Sequence, residues 1–284
     1  MKDRLFAFSQ HFMPQHAISR LTRLVAESKA STIKTTFINT FIKQYGIDMS
    51  EAANPDPASY ANFNDFFTRA LKPGARTIAE GEKNLACPAD GAVSQLGDIK
   101  QGRIFQAKGH DFGLKELLGG SKELETEFQD GKFTTIYLSP KDYHRVHIPF
   151  SGTLRSMTYI PGKLFSVNPA TVNNVDNLFA RNERVSCIFD TDNGPMAVVL
   201  VGAMIVASIE TVWAGLVTPP RQKLTTWDYP ATGEGAVVLN KGDELGRFKL
   251  GSTVVLCFPK DSIEWNENLQ EGSVTRMGQE IASY

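Results

Sequence analysis

The chain has 284 residues, of which 42% are hydrophobic and 21% charged, and its formal net charge is −1. Those totals describe a folded protein with room for one large domain, or one domain plus an appendage, and they exclude a disordered tail or a globally basic nucleic-acid binder. The three cysteines, Cys87, Cys187 and Cys257, are odd in number, widely spaced and free of any C-x-x-C pair, so neither a disulfide framework nor a zinc knuckle is indicated and a reducing compartment is expected.

Charge is unevenly spread. Residues 1–45 carry seven basic side chains (Lys2, Arg4, Arg20, Arg23, Lys29, Lys34, Lys43) against Asp3 and Glu27, so this arm is +5 and the remainder −6. A basic arm on an acidic body suits an anionic partner, anionic lipid among them. No secretory signal is evident, because the apolar run Leu5–Phe8 is short and is soon interrupted by Pro14 and by charged side chains.

Within the arm, Ala17, Ile18, Leu21, Leu24 and Val25 recur at helical spacing, as do Ile33, Phe37, Ile38, Phe41 and Ile42. The cations fall mostly between these apolar positions. Such helices either lie in a membrane interface or pack on the body of the protein. A loop comes next at Ala52–Ser59, then a short helix over Phe63–Ala70 running into the turn Lys72-Pro73-Gly74.

From there the sequence changes character. β-Rich runs at Phe133–Leu138, Thr153–Tyr159, Val185–Phe189, Ala197–Ile209, Ala236–Leu239 and Thr253–Phe258 alternate with glycine turns, and helical signal is sparse after Leu118. The apolar run Met196–Ile209 is too short to span a bilayer as a helix and reads as a buried strand pair. The fold class expected is α+β, with N-terminal amphipathic helices over 1–60 and a mainly antiparallel β body over 61–284. An internal echo, Lys241-Gly242-Asp243-Glu244-Leu245-Gly246 against Met277-Gly278-Gln279-Glu280-Ile281-Ala282, suggests one turn used twice, as in barrel-sandwich folds.

Three segments could carry chemistry. In Leu250-Gly251-Ser252-Thr253, a glycine carbonyl open to attack precedes a hydroxyl, although a bare Gly-Ser pair is more often an ordinary turn. Tyr143-His144-Arg145-Val146-His147 holds two of the five histidines, the side chains best suited to proton transfer near neutrality. On a helix the two imidazoles would share a face; in an extended segment they would do separate jobs. No neighbouring cluster completes a metal site, so none is expected. Asp90, in Cys87-Pro88-Ala89-Asp90-Gly91, is either a turn residue or a carboxylate that orients a histidine.

Taken together and in order, these segments resemble the phosphatidylserine decarboxylase family in its shorter bacterial form. Phe63-Asn64-Asp65-Phe66-Phe67-Thr68-Arg69, Leu71-Lys72-Pro73-Gly74-Ala75-Arg76, Asp90-Gly91, the Tyr143–His147 segment with Pro149 and Gly152, Asn182-Glu183-Arg184, Val201-Gly202-Ala203 and the 241–253 segment carry the resemblance. One departure is Ala207, where glycine is expected.

The resemblance implies that Ser252 attacks the Gly251 carbonyl, with His147 as base and Asp90 holding its tautomer. The chain would then divide into 1–251 (the β chain) and 252–284 (the α chain), which remain associated, the latter bearing a pyruvoyl cofactor made from Ser252. It further implies that phosphatidylserine, bound as a Schiff base, loses CO₂ to give phosphatidylethanolamine, with His144 protonating the carbanion. The protein would work as a peripheral enzyme on the anionic cytoplasmic face of the cell membrane, with no nucleic-acid partner.

Three other readings compete. Ser252, His147 and Asp90 could form a serine hydrolase, a pyruvoyl enzyme could act on a soluble amino acid, or the protein could be a non-catalytic membrane adaptor.

Overall fold

The computed structural model describes residues 2–107, 109–204, 208–218, 223–249 and 252–284. Leu250 and Gly251, on the expected scissile bond, and Ala207 lie outside the described residues.

Three helices open the chain: α1 (Lys2–Ser9), α2 (Gln15–Ala26) and α3 (Ser31–Tyr45), followed by the short α4 (Phe63–Phe67). Gly46 in a left-handed conformation ends α3, and the Asn62 side chain caps α4 by accepting from the Asp65 N–H. Both alternatives for the arm hold in part. Ala7, Ala26 and Ile38 are buried, and the buried Gln10 and Gln15 side chains accept from the Ser166 and Leu164 backbone N–H groups. The other face is bare: Leu5, Phe8, Phe12, Leu21, Leu24 and Ile33 are each more than half exposed. Phe37 and Phe41 fold inward onto Phe63, Phe66 and Phe67, forming an aromatic cluster beside the β body.

Strands β1 (Asn84–Ala86) and β2 (Gly91–Asp98) precede a hairpin of β3 (Arg103–Ala107) and β4 (His110–Gly113). Next come β5 (Lys132–Leu138), β6 (Arg145–His147), β7 (Gly152–Ile160), β8 (Arg184–Thr191) and β9 (Gly194–Val201). The remainder are β10 (Ser208–Thr211), β11 (Gly215–Leu216), β12 (Thr225–Asp228), β13 (Val238–Leu239), β14 (Glu244–Lys249), β15 (Ser252–Phe258), β16 (Glu264–Trp265), β17 (Val274–Thr275) and β18 (Glu280–Ser283). All pairings between these strands are antiparallel among the described residues, and no closed barrel forms. The α+β architecture matches the expectation from sequence.

The main sheet runs β12-β7-β8-β9-β15-β5-β2-β17, with β13 also on β7. Its central strands are apolar throughout because both faces are covered. Val254, Leu256 and Phe258 join one core with Val198 and Leu200; Val255 and Cys257 join the opposite core with Ala197, Val199 and Val201. A smaller sheet, β11-β10-β14-β6, packs on the first face through Val146, Ile209, Leu245 and Phe248.

The sequence echo is one turn used twice. Gly242 and Gly278 share a φ of +89°, lead into β14 and β18, and close on Ile78 from two sides. A Cβ at Gly278 would come within 2.4 Å of the Thr77 carbonyl oxygen, so both the conformation and the space require glycine there.

Candidate active site

Ser252 opens β15 at the middle of the main sheet. It pairs with Leu138 on β5, while Thr253 pairs with Val201 on β9 and Tyr137 on β5. Because side chains alternate along a strand, Ser252 shares the face of Val254 and Leu256, toward the layer that holds β6 and β14. Its hydroxyl is buried and has no hydrogen-bond partner. A buried orphan hydroxyl costs roughly 1–3 kcal/mol, and those of Ser19, Thr135, Ser186 and Thr253 are orphaned as well.

His144 lies one residue before β6, in the layer facing the Ser252 side of the main sheet. Its Nε2–H donates to the carbonyl of Ser139, the residue after Leu138, at 3.0 Å, and its own carbonyl accepts from the Phe248 N–H. Phe67 stacks on the ring with a centroid distance of 4.0 Å, joining the N-terminal aromatic cluster to the site. Nδ1 is buried without a partner. Burial, reinforced by the Arg69 charge, pulls His144 down to about 3, so the ring is neutral and Nδ1 carries a free lone pair.

His147 sits farther along β6, opposite Glu244. Its Nδ1–H donates to the Gly242 carbonyl at 2.7 Å, and its Nε2 accepts from the Tyr143 hydroxyl at 3.0 Å. Burial lowers its pKa, partly offset by the Gly242 carbonyl and by the charges of Glu244 and Asp90.

Asp90 does not touch His147. Its carboxylate accepts from Arg76 Nε at 3.0 Å, from Arg76 Nη2 and from the Met277 N–H at 2.8 Å. The expected tautomer-holding bond is therefore replaced here by the Gly242 carbonyl, and Asp90 acts on His147 only through its charge. The guanidinium wins because it offers a charged two-pronged partner, whereas the neutral imidazole offers one N–H. Gly91 lies so close to β5 that a Cβ would fall 2.3 Å from the Tyr137 carbonyl oxygen, which places Asp90 at the start of β2, between β5 and β17.

Asp90 lines a cleft of about 480 Å³ together with Arg69, Arg76, Ser139, Asp142 and Tyr143, whereas Ser252, His144 and His147 are not among its lining residues. Sequence reasoning gave no role to Arg69, Arg76 or Tyr143. The signal available for the arginines was their position beside the Phe63–Phe67 aromatic run and the Pro73-Gly74 turn. Among the described residues, no group of three or more His, Cys, Asp or Glu side chains could hold a metal ion. Cys87, Cys187 and Cys257 are free and buried, and burial raises their thiol pKa values well above the ordinary range, so none is a nucleophile.

A family model described as phosphatidylserine decarboxylase matches residues 63–283, and a second, described as PSD, matches residues 5–46. The chain belongs to the phosphatidylserine decarboxylase family. It is 58% identical over 283 residues to a phosphatidylserine decarboxylase proenzyme of Pseudomonas putida, covering 100% of this chain and 99% of the relative. The proenzyme of Idiomarina loihiensis is 59% identical over 281 residues, covering 99% of this chain and 96% of the relative. That of Ectopseudomonas mendocina is 58% identical over 279 residues, 98% of each chain. The family match over 63–283 takes in each expected site residue of this phosphatidylserine decarboxylase homologue, from Asp90 to Ser252, and the match over 5–46 takes in the three helices of its arm.

Proposed function

We propose that the chain decarboxylates phosphatidylserine to phosphatidylethanolamine, using a pyruvoyl group that it makes from its own Ser252. Kinship with decarboxylase proenzymes supports this reading. The structural observation that carries it is the orphan Ser252 hydroxyl at the head of a central strand, paired with Leu138, whose neighbour Ser139 holds His144 with its Nδ1 free. Ser19, Thr135, Ser186 and Thr253 share the lack of a partner, and Ser252 is set apart from them by its place directly after the expected scissile bond. The pyruvoyl group would keep the carbon skeleton of residue 252, while the hydroxyl oxygen would depart on the new Gly251 carboxylate.

In maturation, Ser252 Oγ bonds to the Gly251 carbonyl carbon, the peptide C–N bond breaks, and an ester replaces the amide. The hydroxyl proton passes to a histidine and the freed amine takes up a proton. Loss of the Cα proton and cleavage of the Cβ–Oγ bond then release Gly251 as a carboxylate; the dehydroalanine left behind tautomerises to an imine, and water replaces its nitrogen, which leaves as ammonia, to give the ketone on residue 252. The products are 1–251 and 252–284, which stay associated.

The sequence reading assigns the proton to His147, with Asp90 supporting the imidazolium by its charge. A second reading has a specific observation in its favour: His144 is neutral with Nδ1 free, whereas both ring nitrogens of His147 are engaged. In that reading His144 takes the proton during maturation and returns one to the substrate α-carbon during turnover. The pyruvoyl group supplies a carbonyl that captures the substrate amine and accepts the electrons released with CO₂. Protein groups orient the head group and manage protons around it.

The arm delivers the enzyme to its substrate. Its bare apolar side chains and its basic residues suit peripheral binding to an anionic surface, the cytoplasmic face of the cell membrane, and residues 1–60 form that module. Among the described residues, no helix is long and apolar enough to cross a membrane. The hydrolase alternative lacks its constellation here, since Asp90 binds Arg76 and His147 binds Gly242 and Tyr143.

Intact-mass measurement on purified protein tests the reading. It should report two chains, 1–251 and 252–284, the smaller carrying a ketone in place of the serine amine and alcohol. An active preparation consisting of one unbroken chain would refute it. H144Q and H147Q, followed by the same measurement, separate the two assignments of the base.

A further inference from the structure

Arg69 follows α4 and is only 5% exposed, yet no carboxylate pairs with it among the described residues. Its Nε and Nη1 are buried without any acceptor. Nη2 makes one long bond to the Lys141 carbonyl at 3.3 Å, and the Phe66 ring lies 5.5 Å from the guanidinium carbon. The other arginines of the cleft are satisfied: Arg76 by Asp90 and Glu51, Arg276 by Glu51. Of the remaining acids, Asp142 accepts from the N–H and hydroxyl of Ser139, and Asp48 from the Ser50 N–H. Burial pulls the Arg69 pKa below the usual arginine value, which marks how little compensates its charge. A buried guanidinium with donors left open is costly, and a ligand anion removes that cost.

We propose that Arg69 is the receptor for the phosphodiester anion of the substrate head group. This deepens, and rests on, the decarboxylase reading. Arg69 lines the cleft that also holds Asp90, Ser139 and Tyr143; Ser139 accepts from His144, whose ring stacks on Phe67 two residues before Arg69, so an anion held there lies on the His144 side of the site. The charged side chains that line the cleft, Asp48, Glu51, Arg69, Arg76, Lys141 and Arg276 among them, suit a polar group rather than an acyl chain. The other anion of the head group, the carboxylate, is the poorer fit. Decarboxylation drains negative charge from it, and a guanidinium clamped on it would stabilise the ground state more than the transition state. The phosphodiester keeps its charge throughout, so gripping it orients the substrate without that penalty.

The test compares wild type, R69K and R69Q, each first shown by intact mass to have matured. The substrates are glycerophosphoserine and O-methylserine, which share the amine and the carboxylate but differ in the phosphodiester. Wild type should favour glycerophosphoserine. R69Q should lose about 10- to 100-fold of that kcat/KM preference with little change on O-methylserine, and R69K should keep part of it. Dibutyl phosphate should compete in wild type and not in R69Q. Equal losses on both substrates, or an unchanged ratio, would overturn the proposal. If neither variant matures, competition on wild type decides: dibutyl phosphate must outcompete both isobutyrate and inorganic phosphate, and any other order refutes a diester site. A wild-type chain that stays unbroken and turns over neither substrate removes the decarboxylase reading itself, and this inference with it.

Discussion

Replacing Asp90 with asparagine separates the two jobs this carboxylate could have. In the structure it is the buried partner of Arg76, with side chains 12% and 5% exposed respectively, and it accepts from the Met277 N–H. Asparagine keeps an oxygen for Met277 but removes the charge facing the guanidinium. Breaking a buried pair by removing one partner costs about 3–5 kcal/mol. Glu51 still meets Arg76 at 2.8 Å and is itself 30% exposed, so part of the compensation survives. The expected loss for D90N is therefore about 2–4 kcal/mol, or a drop in Tm of roughly 4–8 °C for a chain of this size. D90A should lose about 1 kcal/mol more through the Met277 bond. Urea melts in an S252A background measure this without interference from chain cleavage. R76Q combined with D90N should cost less than the sum of the two by about 1–3 kcal/mol. If D90N shifts stability by less than about 0.5 kcal/mol while blocking chain cleavage, the pairing described here is incidental and Asp90 acts directly in the chemistry.

Other consequences arise from the same geometry. His144 is held near 3, while an unfolded histidine titrates near 6.5, so as pH falls the unfolded chain binds the proton first. Stability is complete above about 6.5 and drains away toward about 3, by up to ~1.4 kcal/mol per pH unit from this residue, and H144Q in the S252A background should flatten the dependence of urea midpoints on pH. G91A pushes a methyl to 2.3 Å from the Tyr137 oxygen and should part β2 from β5, slowing maturation at least tenfold when followed by intact mass. F12S combined with L24S removes bare apolar side chains worth about 1.5–3 kcal/mol each when inserted, so sedimentation with anionic vesicles should weaken at least tenfold while Tm moves by less than about 1 °C.

The β body was legible in the sequence because strands covered on both faces leave unmistakable apolar runs: Thr253–Phe258 and Phe133–Leu138 became β15 and β5 almost residue for residue. The helix Lys122–Phe128 was missed, although Ser121 capping the Leu124 N–H was a readable start signal; three acidic residues hid its apolar stripe. The arm's dual character was also out of reach. Periodicity shows that a helix has an apolar face, but only Gln10 and Gln15 reaching the 164–166 backbone reveal which face is taken. Ser252 and His144 were nominated from sequence, and β5 links them: Leu138 pairs with Ser252, and the next residue, Ser139, accepts from His144. Partners were not legible in the same way. That Asp90 would face Arg76 and Met277, or His147 face Gly242, depends on turns meeting across the fold rather than on neighbours along the chain.

The position of β15 has a consequence for the order of events in the cell. A break just before Ser252 would leave the smaller piece threaded through the centre of the sheet, laced to β9 on one side and β5 on the other, with β17 and β18 tied to β2 and β1. Such a piece can neither drift off nor be supplied from outside without prising the sheet apart at its middle. Were the chain cut there, it would have to reach its final shape as one molecule first, and the cut would then create two chains that share one inseparable interior.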